Sequence, residues 1–137
     1  MIKAAENYGE FPDFYAYVAD DINKRAHYVI SELAKIGISC SKREGTYYIL
    51  IDVSPLALCL EERYYTTFDG NQEDCFLDRA IMRKLALEHQ VGLFPLSMFF
   101  LGDGPRNYVR ASINRRNEDN YILIEAFRLL VSQKDVI

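Results

Sequence analysis

From Phe11 to Ile36, apolar residues recur at Phe14, Val18, Ile22, Ala26, Val29, Ile30 and Leu33, with charged residues between them. That is the period of a helix carrying one apolar stripe. A run of about 25 residues at ~1.5 Å each makes a rod roughly 38 Å long, close to the full width of a small domain. Gly37 stands where a helix needs a left-handed stop. A chain of 137 residues must be built around this rod. Its first turns are then expected to overhang, exposing Phe14 and Val18 unless something else covers them.

Beyond the rod, the chain alternates between strand and helix. Ile38–Cys40 is a short strand candidate, and Thr46–Val53 is a β-branched and aromatic run bounded by Gly45 and Ser54-Pro55. Residues 57–73 hold the turn pair Asp69-Gly70 and predict a surface excursion. Asp74–His89 is helical, with Leu77, Ile81 and Leu85 on one face and Arg83, Lys84 and His89 late, where the macrodipole favours cations; Gly92 follows its end. Val91–Phe94 is a strand candidate, Gly102–Pro105 a turn, and Tyr108–Asn114 an alternating strand. Asn117 is expected to cap a last helix, with Glu118 and Asp119 in its first turn and a polar stripe of Glu125, Arg128 and Ser132. The order predicts an α/β (α+β) two-layer sandwich, with helices on a small, mostly antiparallel sheet, in a single domain over residues 1–137.

Composition narrows the function. Half the residues are apolar and 26% charged, as in ordinary globular domains. The net charge of −4, and basic pairs scattered along the chain, argue against nucleic acid as a partner. No stretch approaches the ~18 apolar residues of a membrane span, and the N-terminus lacks the apolar core of a signal peptide. Cys40, Cys59 and Cys75 form an odd set without paired spacing, which points to buried thiols in a reducing compartment. The expectation is a cytoplasmic protein with no membrane partner.

No nucleophile elbow, dinucleotide fingerprint or zinc motif is present, and His27 and His89 are the only imidazoles. His27 reads as a mid-helix ring, at the surface or half-buried, and His89 as a C-terminal cation. The informative pattern is Tyr108–Ile113: alternation sends Val109, Ala111 and Ile113 to one face and Tyr108, Arg110 and Ser112 to the other. Arg110 is then either a rigidly presented fork for a carboxylate, or a plain arginine on a solvated sheet face or in a structural ion pair.

Three segments arrive in order: Gly45-Thr46-Tyr47-Tyr48-Ile49-Leu50-Ile51-Asp52, Val91-Gly92-Leu93-Phe94-Pro95-Leu96-Ser97-Met98-Phe99, and Tyr108-Val109-Arg110. Together with the helices between them, over about residues 22–131, they resemble the C-terminal small domain of fold-type-I, class I/II pyridoxal-phosphate-dependent aminotransferases. The likeness is greatest to the kynurenine, glutamine and alanine aminotransferase branches. Two positions depart from the pattern: Leu96 stands where the family usually has Gly, and Arg43 where a Pro often precedes the Gly-Thr pair.

The resemblance implies the small domain of the pyridoxal-phosphate transferase fold, in a parent enzyme moving an amino group between an amino acid and a 2-oxo acid. Arg110 takes the substrate-binding role, holding the α-carboxylate that donor and acceptor share. Phe99 is expected in the core, with the rim of the substrate entrance as the alternative. Pyridoxal 5′-phosphate would be held by a large domain absent from this sequence, and the parent would be a homodimer. None of Lys3, Lys24, Lys35, Lys42, Lys84 and Lys134 matches the Schiff-base lysine; each is expected at a helix surface, turn or end. No catalytic, cofactor-binding or metal-ligating residue is therefore expected here, and the chain alone should be inactive. The other reading is a stand-alone α/β module that senses a small carboxylate through Arg110.

Overall fold

The structure, a computed structural model, describes residues 9–41, 46–65, 76–100 and 104–136, the side chains of 134–136 excepted. The first helix, α1 (Phe14–Lys35), is opened by Asp13, whose carboxylate accepts the Ala16 N–H at 2.8 Å. It closes at Gly37, with φ +85°. There Ile38 N–H donates to Leu33 O at 3.0 Å and Gly37 N–H to Ala34 O at 3.1 Å, the paired bonds of a Schellman turn. The buried residues of α1 are Ala26, Val29 and Leu33, all in its second half. The expected overhang is present: Phe14 and Tyr15 are exposed and Val18 is half-buried.

Three strands, β1 (Tyr48–Asp52), β2 (Phe94–Pro95) and β3 (Tyr108–Ser112), form an antiparallel sheet in the order β1-β3-β2. β1 and β3 bury alternate residues. Ile49, Ile51, Val109 and Ala111 join one cluster with Leu33 of α1, Ile81 and Leu85 of α2 (Leu77–His89) and Leu123, Phe127 and Leu130 of α3 (Asn117–Val136). Helices thus cover one face of the sheet, the two-layer arrangement expected from the element order.

Several boundaries differ from expectation for local reasons. The Ile38–Cys40 strand reduces to a single bridge, Cys40 to Ile51, beside two backbone bonds, Asp52 N–H to Ser39 O and Ser41 N–H to Leu50 O. The Val91–Phe94 strand shifts to Phe94–Pro95, because Val91 N–H is spent on Leu85 O at the end of α2. That helix ends on Gln90, in the left-handed conformation at φ +55°, and not on a glycine. Part of the 57–73 excursion is helical, with 3-10 turns at Ser54–Cys59 and Glu62–Tyr65; residues 66–75, including Asp69-Gly70, Asp74 and Cys75, lie outside the described residues. Asn117 is the first residue inside α3, where Arg116 O accepts the Asp119 and Asn120 amides. No described helix is long and apolar enough to cross a membrane.

Candidate functional site

The uncovered sheet face carries Tyr48, Leu50, Asp52, Phe94, Tyr108, Arg110 and Ser112, none of them fully buried. Arg110 is at its centre, paired across the sheet with Leu50 on one side and Phe94 on the other. Its guanidinium carbon lies 4.1 Å from the Tyr48 ring centroid, 4.8 Å from Phe99 and 5.1 Å from Phe94. Three ring faces at that range attract the cation and restrict its rotation. The Arg110 Nε is buried and has no hydrogen-bond partner. Arg110 makes no ion pair among the described residues.

The groups around it are occupied elsewhere. Tyr48 Oη donates to Tyr47 Oη at 3.5 Å, with the rings 4.5 Å apart. The Tyr47 hydroxyl is pushed above its ordinary pKa, chiefly by that hydrogen bond, against the pull of the Arg110 charge. Asp52 accepts from Ser54 N at 3.0 Å, Ser54 Oγ at 2.7 Å and Asn107 Nδ2 at 2.9 Å. Burial pushes its pKa up, but these bonds outweigh burial and lower it, so Asp52 is spent on its own loop. Phe99 is 55% exposed, and Phe94 and Met98 are likewise exposed. The expected core place for Phe99 is therefore corrected to the rim of the Arg110 face.

Lys84 also departs from expectation. It is mid-helix with its side chain 1% exposed, and Nζ lies 3.0 Å from Glu61 Oε1 and 3.1 Å from Glu88 Oε2. Tyr64 Oη donates to Glu88 Oε1 at 2.5 Å, and the Tyr64 ring lies 5.1 Å from Nζ. Burial alone would lower the ammonium pKa, but the hydrogen bonds to Glu61 and Glu88 reverse this and raise it. Its position three residues after Ile81 and seven after Leu77 put it on the apolar face, a signal that the macrodipole reading passed over. A charged, doubly paired amine cannot attack an aldehyde, while Lys24 and Lys35 are exposed and paired with Asp20 and Glu32. The described residues thus do not fit a Schiff-base site for a pyridoxal cofactor, nor do they hold a cluster that could ligate a metal.

Two cysteines and two histidines remain among the described candidates. Cys59 is buried, and burial pushes the Cys40 thiol up to about 11. His27 is exposed, the surface one of its two expected places. His89 is half-buried, with Nε2 enclosed and unpartnered.

A three-stranded antiparallel sheet with helices on one face is found as part of aminotransferases of the pyridoxal-phosphate transferase fold. Bna3p of Saccharomyces cerevisiae, described as a candidate kynurenine aminotransferase, superposes with a TM-score of 0.73 at 19% identity, over 88% of this chain and 28% of its own. The methionine aminotransferase YbdL of Escherichia coli gives 0.62 at 20% identity, over 84% and 26%. The aspartate aminotransferase of Rhizobium meliloti gives 0.64 at 19%, over 90% and 28%. The chain therefore spans between a quarter and a third of the length of these enzymes. In sequence, the family described as Aminotransferase class I and II matches residues 1–127, and the chain belongs to that family. No curated protein matches it in sequence.

Proposed function

We propose that the chain is the C-terminal small domain of a pyridoxal-phosphate-dependent aminotransferase, and that Arg110 holds the carboxylate of its amino-acid and 2-oxo-acid substrates. The observation that carries this reading is Arg110 itself: a guanidinium on the open sheet face, flanked by three rings, with a buried Nε lacking a partner and no ion pair among the described residues, the diagonal Asp52 being bonded to Ser54 and Asn107. A planar fork held this way offers a carboxylate two parallel charge-assisted bonds. Because donor and acceptor share that group, one receptor serves both half-reactions.

The cofactor supplies the electron sink for amino transfer, and a large domain would contribute the lysine that carries it. Within this chain Arg110 orients, and Tyr48, Phe94 and Phe99 exclude water from the guanidinium's faces. The isolated domain is then catalytically silent, and the parent enzyme is a cytoplasmic homodimer assembled through its large domains.

The test is a titration of the 15N-labelled chain with phenylpyruvate and L-phenylalanine, following the Arg110 Nε–Hε resonance, with phenylacetamide as neutral control. Weak, millimolar binding by the two carboxylates alone is expected, since half the site is elsewhere. An unmoved Arg110 resonance rules the receptor role out. Micromolar affinity favours the stand-alone sensing module instead. A stoichiometric Schiff-base absorbance on adding pyridoxal phosphate would overturn the placement of the lysine in another domain.

A further inference from the structure

Asp78, in the first turn of α2, is fully buried. Its Oδ2 accepts the Ser97 N–H at 2.8 Å, its Oδ1 accepts the Arg79 N–H at 2.8 Å, and its own N–H donates to Arg106 O at 3.0 Å. One residue thus ties the start of α2 to the segment after β2 and to the loop before β3. Ser97 belongs to the 3-10 turn Leu96–Phe99, whose preceding residue, Pro95, gives it no side-chain cap. The Asp78 carboxylate supplies that missing acceptor from another element, with the positive end of α2 behind it. Arg79 Nε adds a bond to Ser97 Oγ at 3.1 Å. Two residues after Ser97, Phe99 lays its ring 4.8 Å from the Arg110 guanidinium carbon.

We propose that Asp78 is a positioning residue for Arg110: by accepting the Ser97 amide it seats the Leu96–Phe99 turn, so that the Phe99 ring holds the guanidinium in one orientation. This rests on the reading of Arg110 as a carboxylate receptor. Asp78 touches no substrate in this account and acts only through the turn. The half-exposed Phe99 has little core packing to fix it, so the register of the turn decides where the ring falls.

The experiment reads the Arg110 Nε–Hε resonance of the 15N-labelled chain without ligand, assigned by its loss in Arg110→Lys. Rings stacked on the guanidinium shift this resonance upfield. Phe99→Leu should move it downfield, Asp78→Asn should move it the same way and as far, and the double variant should move it no farther than Phe99→Leu alone, because both remove one interaction. Ser97→Ala keeps the backbone amide and should leave the resonance in place. A folded Asp78→Asn whose Arg110 resonance is unmoved, additive shifts in the double variant, or a Ser97→Ala shift as large as that of Asp78→Asn would each overturn the proposal. Should Asp78→Asn not fold, the unmodified chain decides. The scalar coupling across Ser97 N–H···Oδ2 of Asp78 and a nuclear Overhauser contact from the Phe99 ring to Arg110 must both be present, and absence of either overturns it. None of these readouts uses a carboxylate, so failure of Arg110 to bind one is separately visible in the titration with phenylpyruvate and L-phenylalanine.

Discussion

Tyr48 and Arg110 stand on the same face of adjacent strands, one step diagonal in register, with the guanidinium carbon 4.1 Å from the ring centroid. The attraction of the ring for the cation restricts where the guanidinium can sit. In the proposed parent aminotransferase, Arg110→Lys keeps the charge but loses the planar fork. KM for both amino acid and 2-oxo acid should rise by about 10- to 100-fold, from about 1.5–3 kcal/mol of lost charge-assisted bonding. Steady-state kinetics with each substrate varied in turn measure it, and a change confined to one of the two would remove Arg110 from a shared site.

Lys84 supplies a stability test. Lys84→Ala removes the contacts to Glu61 and Glu88 and opens a void in place of a buried stem, and should cost about 2–4 kcal/mol by urea denaturation. Lys84→Met refills the volume with an apolar stem, and because Glu61 and Glu88 keep contact with solvent, it should cost about 1 kcal/mol or less. Equal losses in the two variants would show that the ion pairs, and not the packing, dominate.

The same cluster sets a pH window. The hydrogen bond from Tyr64, followed by the Lys84 contacts, holds the Glu88 carboxyl below its usual 4.5. Its contribution is then complete above 4.5 and lost as pH falls through the lower, folded value. The ammonium of Lys84 is raised above 10.5, so its contribution is complete below 10.5 and lost as pH climbs past the folded value. Thermal melts should stay level between these limits with respect to this cluster. Glu88→Gln should flatten part of the acid limb, and an acid limb identical to that of the unaltered chain would contradict the assignment.

Gly37 holds φ at +85° with open space where a Cβ would stand. Gly37→Ala therefore meets no clash, only the left-handed penalty, and should lower stability by about 1 kcal/mol. Chemical denaturation reads this directly; an unchanged midpoint would mean that the turn at the end of α1 adjusts.

With its thiol pushed up to about 11, Cys40 is almost wholly protonated at pH 8. Iodoacetamide should label it far more slowly in the folded chain than in urea, as followed by peptide mass mapping. Equal rates would show an accessible, ordinary thiol.

Much of the fold is legible in the residues alone. The helical period to Leu33 and the glycine after it set the extent of α1, and the alternation at Tyr108–Ser112 placed Arg110 opposite the core face. What stayed hidden depends on contacts far apart in sequence. The rings of Phe94 and Phe99 meet Arg110 only because β2 pairs beside β3, and Asp78 reaches Ser97 across 19 residues. Lys84 looked like a helix-end cation because its partner Glu61 lies beside a 3-10 turn that no local pattern announced. The Val91–Phe94 run has the composition of a strand, yet its first amide closes α2, so only its end joins the sheet.

The sheet's margins carry a last consequence. β2 is two residues long and includes Pro95, which has no amide hydrogen to offer, and the outer side of β1 is bonded to Ser39 and Ser41. Among the described residues, neither border presents the row of free backbone groups on which a foreign strand could zip. A partner that docks on the described sheet is therefore expected to meet the side chains of the Arg110 face and not to lengthen the sheet by strand addition.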